Sequence, residues 1–382
     1  MTSDTALRRA KDIASSTVAT AAAENDRLGR FSSEAIDALG GAGLLGLMLP
    51  ADVGGAGLGP RAFADVVTAL SEADASVAMV FVMHTLAALT IAAAPRTPAL
   101  ERVLGEIAAG HHVSTLAFSE AGSRSHFWAP VSRAISLDGS GARISARKSF
   151  VTGAGHVHSY VTSALAPNGA GPTDSTLYLV DAKSSGLTVS APWDGLGLRA
   201  NASSPVILDG CVVSADLRLT EDGMGFATML NTVLPLFNVG QAAVSLGICR
   251  SAVSATVRHL KSARFEHLGA TLGESLPNLR AQLATMQIES DGLAARLDDT
   301  LNHLESPGEL TMLRVLEVKA AASETAIGVT ALAMKTCGGA ALSRQHGIER
   351  LFRDAQAGSV MAPTTDVLRD FIGKALLGLP LF

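Results

Sequence analysis

The stretch Arg350-Leu-Phe-Arg-Asp-Ala-Gln-Ala-Gly-Ser-Val-Met-Ala-Pro-Thr-Thr-Asp366 carries the reading of this chain. Its last residues open a final helix predicted from about Thr364 to Leu377. Asp366 suits the first turn of that helix, where the dipole favours an acid, and is read as a cap rather than a ligand. Upstream, Met224 to Ser262, Pro277 to Leu304 and Pro307 to Thr336 are long helical segments whose only interior proline is Pro235. Their lengths suit the helices of a bundle.

Further upstream the texture changes. From about Val113 to Leu219, short runs such as Ala142-Arg-Ile-Ser-Ala, Leu177-Tyr-Leu-Val and Val206-Ile-Leu alternate with Gly, Pro, Asn and Asp. β-Branched residues between turn signals predict a small β-domain. The first part is helical again: Ser32-Ser33-Glu34 opens an apolar-periodic stretch ending near Gly43, and helical patterning resumes from Pro60 to Ala94. Between them, Pro50-Ala-Asp-Val-Gly-Gly-Ala-Gly57 is a loop dense in turn residues. The expected domains are residues 1–112, helical; 113–222, β; and 223–382, a helical bundle.

The chain has 382 residues, room for two or three domains at roughly 150 residues each. Hydrophobic residues make up 48% and charged residues 17%, which supplies a large core and argues against disorder. A net charge of −5 leaves no basic excess for nucleic acid. The three cysteines (Cys211, Cys249, Cys337) are too scattered for a disulfide framework or a metal cluster. A reducing cytoplasm is the expected setting. Met1 to Arg30 lacks the apolar core of a signal peptide. Ser76 to Ala94 approaches the roughly 20 apolar residues of a membrane span, but it carries His84 and two threonines. It is read as a buried helix, and no membrane partner is expected.

The opening stretch resembles the C-terminal signature of the acyl-CoA dehydrogenase family, in which Arg-Asp-Ala is followed by Glu-Gly-Thr. Arg353, Asp354 and Ala355 match; Ala362-Pro363 replaces the Glu-Gly pair, and Thr364 matches the Thr. The resemblance covers nearly the whole chain. Gly43-Leu-Leu-Gly46, Pro50 and Gly54-Gly-Ala-Gly57 are similar to the family's Gly-rich N-terminal segment. Ala117-Phe-Ser-Glu-Ala-Gly-Ser-Arg-Ser125 is similar to its Thr-Glu-Pro flavin loop. Lys148-Ser-Phe-Val-Thr152 and Leu196-Gly-Leu-Arg-Ala-Asn-Ala-Ser-Ser204 resemble two further motifs. Each motif alone is weak, and their order is specific.

The resemblance implies an α+β multidomain fold: an N-terminal helical domain, a middle β-barrel-like domain and a C-terminal four-helix bundle. It implies FAD, with FMN or reduced flavin from a reductase as the alternative. A flavin needs donors at its ring heteroatoms. By resemblance Ser119 and Thr152 supply them, with Phe118 contributing backbone, Phe150 covering the ring, and Ser125 meeting the pyrophosphate. Gly338 and Gly339 would approach the flavin of a neighbouring subunit, with Lys335 where the family has Gln. Arg264 is a candidate for phosphate, and Thr364 for further cofactor contact.

In the family the Glu removes a substrate α-proton, and Ala362 cannot. Some members supply the base from a long helix instead; here Val233 to Gln241 holds no carboxylate, and Asn238 stands where an Arg is usual. His84 is the best-placed remaining titratable group, although a lone His on an apolar helix is usually a hydrogen-bonded core residue. His126 follows the flavin loop where the family often has Asp, His156 and His158 read as loop residues, and no metal-ligand spacing is present.

The leading expectation is an FAD-dependent oxidoreductase acting on an acyl thioester or related small acyl substrate. An electron acceptor or flavin reductase serves as partner, in a homodimer or homotetramer. One alternative is a flavin-dependent monooxygenase, which needs no α-proton base. Another is a non-catalytic paralogue.

Overall fold

The computed structural model describes residues 1–137 and 141–381. The expected domains 113–222 and 223–382 also take in 138–140 and 382, which lie outside the described residues. Six helices open the chain: α1 (Ser3–Ile13), α2 (Ala19–Leu28), α3 (Ser33–Gly41), α4 (Pro60–Ala73), α5 (Ala75–Ala92) and α6 (Pro98–Ala108). The expected run from Pro60 to Ala94 is therefore two helices. Asp74 breaks it: its backbone is extended and its Oδ1 accepts the Ser76 N–H at 2.8 Å, capping α5. Pro60 starts α4 at a position where a missing N–H costs nothing.

Three described helical segments are long and apolar enough to cross a membrane, and Ala75–Ala92 is one of them. In this fold 83% of that span is buried against protein.

The middle region forms two sheets. β1 (Ser114–Ala117), β4 (Ser159–Leu165) and β5 (Ser175–Asp181) make the first, with β1 parallel to β4 and β5 antiparallel to it. β2 (Ile135–Leu137), β3 (Gly141–Val151), β6 (Leu187–Val189) and β7 (Ser204–Ser214) make the second, in the order β2-β3-β7-β6. The first sheet is buried on both faces. β3 and β7 alternate buried and exposed residues, the period-2 pattern of a half-covered sheet. The β3–β7 register slips between Lys148 and Val151, and that irregularity matters at the site.

The C-terminal region begins with α7 (Gly225–Thr228), a π-helical turn at Met229–Val233 and α8 (Leu234–Ser262). Pro235 lacks an N–H for the helical ladder, and the wider turn lies just before it. A small hairpin, β8 (Arg264–Phe265) and β9 (Ala270–Thr271), leads through α9 (Leu272–Ser275) to α10 (Pro277–Glu305). α11 (Thr311–Cys337), α12 (Ile348–Val360) and α13 (Thr365–Leu376) complete the chain. α11 packs on α8, α10, α12 and α13, and α8 also packs on α4 and α5. Gly247 permits the α4–α8 crossing, because a Cβ there would lie 2.5 Å from Ser71 Cβ.

Candidate active site

A cavity of about 860 Å3 opens between the middle sheets and the C-terminal helices. That is within the roughly 300–1,000 Å3 of small-molecule and cofactor sites. Phe118, Ser119, Ser125, Phe150, Thr152 and Thr364, far apart in sequence, all line it.

A buried ion pair fixes the two β-domain walls. Lys148 Nζ on β3 donates to Glu120 Oε1 at 2.7 Å and to Ser163 O at 2.6 Å. Glu120 Oε2 accepts from Val131 N, Ser132 N and Ser132 Oγ at 3.2, 2.9 and 2.8 Å. Burial pulls the Lys148 ammonium below its ordinary range, and the Glu120 charge opposes that. The loop after β1 is thereby locked to β3, with Ser149 N donating to Ser119 O at 2.8 Å.

At the register slip, Phe150 has a left-handed backbone (φ 53°) and stands 70% exposed on the cavity wall. Such irregularities re-aim side chains beside active sites. Its ring meets Trp193 edge-on at 6.2 Å. Thr152 Oγ1 lies 3.1 Å from Ser203 Oγ, so two hydroxyls share this wall.

The intact Arg-Asp-Ala signature holds the opposite rim. Asp354 Oδ1 accepts the Leu198 N–H at 2.7 Å, and Arg353 Nη1 donates to Leu196 O at 3.0 Å. Arg353 also grips Asp26 with two bonds of 2.9 and 2.6 Å. Gly197 is needed between them: a Cβ there would lie 2.3 Å from Arg353 O.

The remaining wall is apolar. Val233, Phe237, Met361 and Ala362 line it. Glu120 is the only carboxylate among the described lining residues, and its oxygens are taken by the bonds above. Asn238 lies buried in α8, its Nδ2 donating to Val315 O at 3.0 Å, and is not part of the lining. Behind Ala362, Lys319 is fully buried and donates to the carbonyls of Gly358, Met361 and Pro363 at 3.2, 3.0 and 2.7 Å.

His84 is not at this site. Its Nδ1 accepts the Ser114 N–H at 3.1 Å, which leaves Nε2–H to donate to Leu45 O at 3.0 Å. Both nitrogens are committed, the ring is buried, and burial lowers its pKa to about 4. It is a neutral core residue joining three segments, and it does not line the cavity. Arg264, Lys335, Gly338 and Gly339 are exposed residues outside the cavity lining of this chain. Arg264 Nη2 donates to Gly269 O at 2.8 Å within its own hairpin. His126 stacks on Trp128, and His156 on Phe31.

Sequence reasoning passed over Ser203, Trp193 and Arg124, which also line the cavity. Ser203 sits inside the quoted Leu196–Ser204 motif, so a signal was present. Nothing local marked Lys319.

The lining fits a flavin. The Ser119 hydroxyl has no protein partner among the described residues. The Thr152–Ser203 pair has hydrogen-bonding capacity to spare, and the lining is predominantly apolar. Comparison with known proteins agrees. Family models for the N-terminal, middle and C-terminal domains of acyl-CoA dehydrogenase match residues 3–111, 115–211 and 223–377. The chain belongs to the acyl-CoA dehydrogenase family.

It is a flavin-dependent oxidoreductase of that type, with the family's three-domain fold. Cyclohex-1-ene-1-carbonyl-CoA dehydrogenase of Geobacter metallireducens is 28% identical over 374 residues, 97% of each chain. The amino sugar nitrososynthase DnmZ of Streptomyces peucetius is 29% identical over 375 residues, 93% of this chain and 89% of that protein. The solved butyryl-CoA dehydrogenase of Megasphaera elsdenii shares the fold with a TM-score of 0.91, at 23% identity over 98% of both chains.

Proposed function

We propose that this chain is an FAD-dependent oxidoreductase acting on an acyl thioester or a related small acyl compound. The observation that carries the reading is the convergence of Ser119, Ser125, Phe150, Thr152 and Thr364 on one cavity between the β-domain and the bundle. FAD supplies the hydride acceptor when bound. The chain's own part is to hold it and shape the space beside it. Ser119 and Thr152 present hydroxyls, Phe150 and Trp193 wall the ring site, and Phe237, Met361 and Ala362 keep water from the substrate end. Among the described residues no free carboxylate lines that end, so the substrates favoured are those whose α-proton is already acidic.

Arg264, Lys335, Gly338 and Gly339 are exposed, so in this reading they reach flavin only in another copy of the chain, in a dimer or tetramer. A cytoplasmic location and an external electron acceptor complete the proposal. Anaerobic mixing of the flavin-loaded protein with a panel of acyl-CoA thioesters tests it. Bleaching of the flavin by at least one thioester is expected, and none with any would defeat the reading.

A second reading is favoured by one observation. Among the described residues the Val233–Phe237–Ala362 wall carries no base, and monooxygenation needs none. DnmZ is named for nitrososynthesis on an amino sugar. On this reading the chain takes reduced flavin and oxygen, with a flavin reductase as partner, and oxidises nitrogen, sulfur or an aromatic carbon. Reduced flavin, oxygen and a panel of amines should then give an oxygenated product; oxygen consumption without product rejects it. A protein purified without flavin and unable to take it up would instead indicate a non-catalytic relative.

A further inference from the structure

Three charged side chains occur among the described residues lining the cavity: Glu120, Arg353 and Arg124. Glu120 is closed by Lys148 and by the Ser132 amide and hydroxyl. Arg353 is closed by Asp26, Glu349 and Leu196 O. Arg124 differs: it is exposed on the lining and makes no hydrogen bond or ion pair with any described residue.

Its backbone is unusual as well. Arg124 has φ 51°, one of four non-glycine residues in the left-handed region among those described. Phe150 and Leu198, two of the others, also line the cavity. A side-chain-bearing residue is strained there and glycine is not. The loop already holds Gly122, yet places an arginine at the left-handed position. Strain of this kind clusters at ligand sites, where surrounding structure enforces it. Here the enforcing contact is one residue on. Ser125 Oγ accepts the Thr364 N–H at 2.8 Å, pinning the loop to the bundle with Arg124 beside the cavity.

We propose that Arg124 is an anion-binding residue at the cavity mouth, taking a phosphate group of the bound ligand. The planar guanidinium offers a two-pronged donor to phosphate, and no carboxylate among the described residues competes for it. Two sources share this chemistry: the pyrophosphate of FAD, which rests on the flavin reading above, and the phosphates of a CoA thioester. On either, Arg124 discriminates between phosphorylated ligands and their uncharged counterparts.

The test uses the full-length protein and the variants Arg124→Gly and Arg124→Lys. Glycine adopts φ 51° without strain, so R124G should fold at least as stably as the parent, which a thermal melt checks. Dissociation constants are measured for riboflavin, FMN and FAD, and separately for pantetheine and CoA, at two salt concentrations. Loss of the arginine should weaken one phosphorylated ligand by about 10- to 100-fold, leave its uncharged counterpart unchanged, and reduce the salt dependence. R124K should fall between the two, because it keeps charge and loses the fork.

A loss confined to FAD and FMN names the cofactor as source; a loss confined to CoA names the substrate. If no flavin binds at all, the flavin reading fails and the CoA arm alone decides. Equal losses for charged and uncharged ligands, or unchanged affinity for both FAD and CoA, overturn the proposal.

Discussion

Ser125 and Thr364 stand 239 residues apart in sequence and hold each other through two hydrogen bonds. The Thr364 N–H donates to Ser125 Oγ at 2.8 Å, and Ser125 Oγ–H donates to Thr364 Oγ1 at 3.3 Å. This contact closes the cavity between the loop after β1 and the start of α13. Ser125→Ala removes both bonds, whereas Thr364→Ala leaves the backbone one in place. Thr364 is the N-cap residue of α13 but makes no side-chain capping bond, so T364A loses no cap. S125A should cost about 1 kcal/mol and weaken flavin binding several-fold, and T364A clearly less. Urea unfolding and flavin titration of the two variants check the order; equal effects would show that the backbone bond is idle.

Ala362 lies on the apolar wall, flanked by two carbonyls that accept from Lys319. Ala362→Glu places a carboxylate where the family signature carries one. General-base catalysis is typically worth about 100-fold or more, so A362E should speed anaerobic flavin reduction by an acyl-CoA by at least about 100-fold. Stopped-flow absorbance measures this. The same variant should lose any oxygenase activity, since the added charge occupies the substrate end. An A362E protein that binds thioester and flavin normally but reduces no faster would show that the wall is not where the α-carbon sits.

The buried pair Glu120–Lys148 makes a different prediction. Lys148→Met leaves Glu120 buried without its counter-ion, which typically costs about 3–5 kcal/mol. Glu120→Gln in the same background removes the stranded charge. The double variant should therefore be more stable than K148M alone, by a margin that denaturant unfolding resolves. A double variant no better than K148M would mean that the amides of Val131 and Ser132 already satisfy the carboxylate.

The parts of the site readable in the sequence were those held in loops of fixed order. Ser119, Thr152 and Thr364 sit in short motifs whose order along the chain is specific, and the structure brings all three to one cavity. The helical, β, helical order was readable from proline placement and periodicity. Partners distant in sequence were not readable. His84 looked available because its acceptor, Leu45 O, and its donor, Ser114 N, come from other elements. Lys319 lies in a helix of mixed polarity, where a lysine reads as solvated. Only the approach of Gly358, Met361 and Pro363, some 40 positions later, buries it. The parallel β1–β4 pairing is likewise non-local, spanning Ser114 to Ser159.

Two buried groups near the site should tilt the stability profile of this chain in opposite senses. Burial, helped by the charge of Asp74, raises the Asp354 carboxyl to about 7, against the opposing Leu198 N–H and Arg350 charge. Between its ordinary value near 4 and pH 7, the folded chain keeps a proton that the unfolded chain releases. Stability from Asp354 is therefore present in acid and lost as pH rises to 7. Lys319 runs the other way. Burial lowers its ammonium from 10.5 to about 7, so between those values the unfolded chain holds the extra proton. Stability from Lys319 is present above 10.5 and lost as pH falls to 7. Each contributes at most about 1.4 kcal/mol per pH unit to its limb of the profile; on the acid limb His84 and His112, lowered by burial to about 4, contribute with the opposite sign. Asp354→Asn, which still accepts from Leu198, should make stability rise more steeply with pH on the acid limb and leave the alkaline limb unchanged. Lys319→Met should flatten the alkaline limb alone, from a lower baseline because three carbonyls lose their donor. Urea unfolding from pH 4 to pH 10 reads both slopes, and limbs unchanged by the matching substitution would remove these residues as their source.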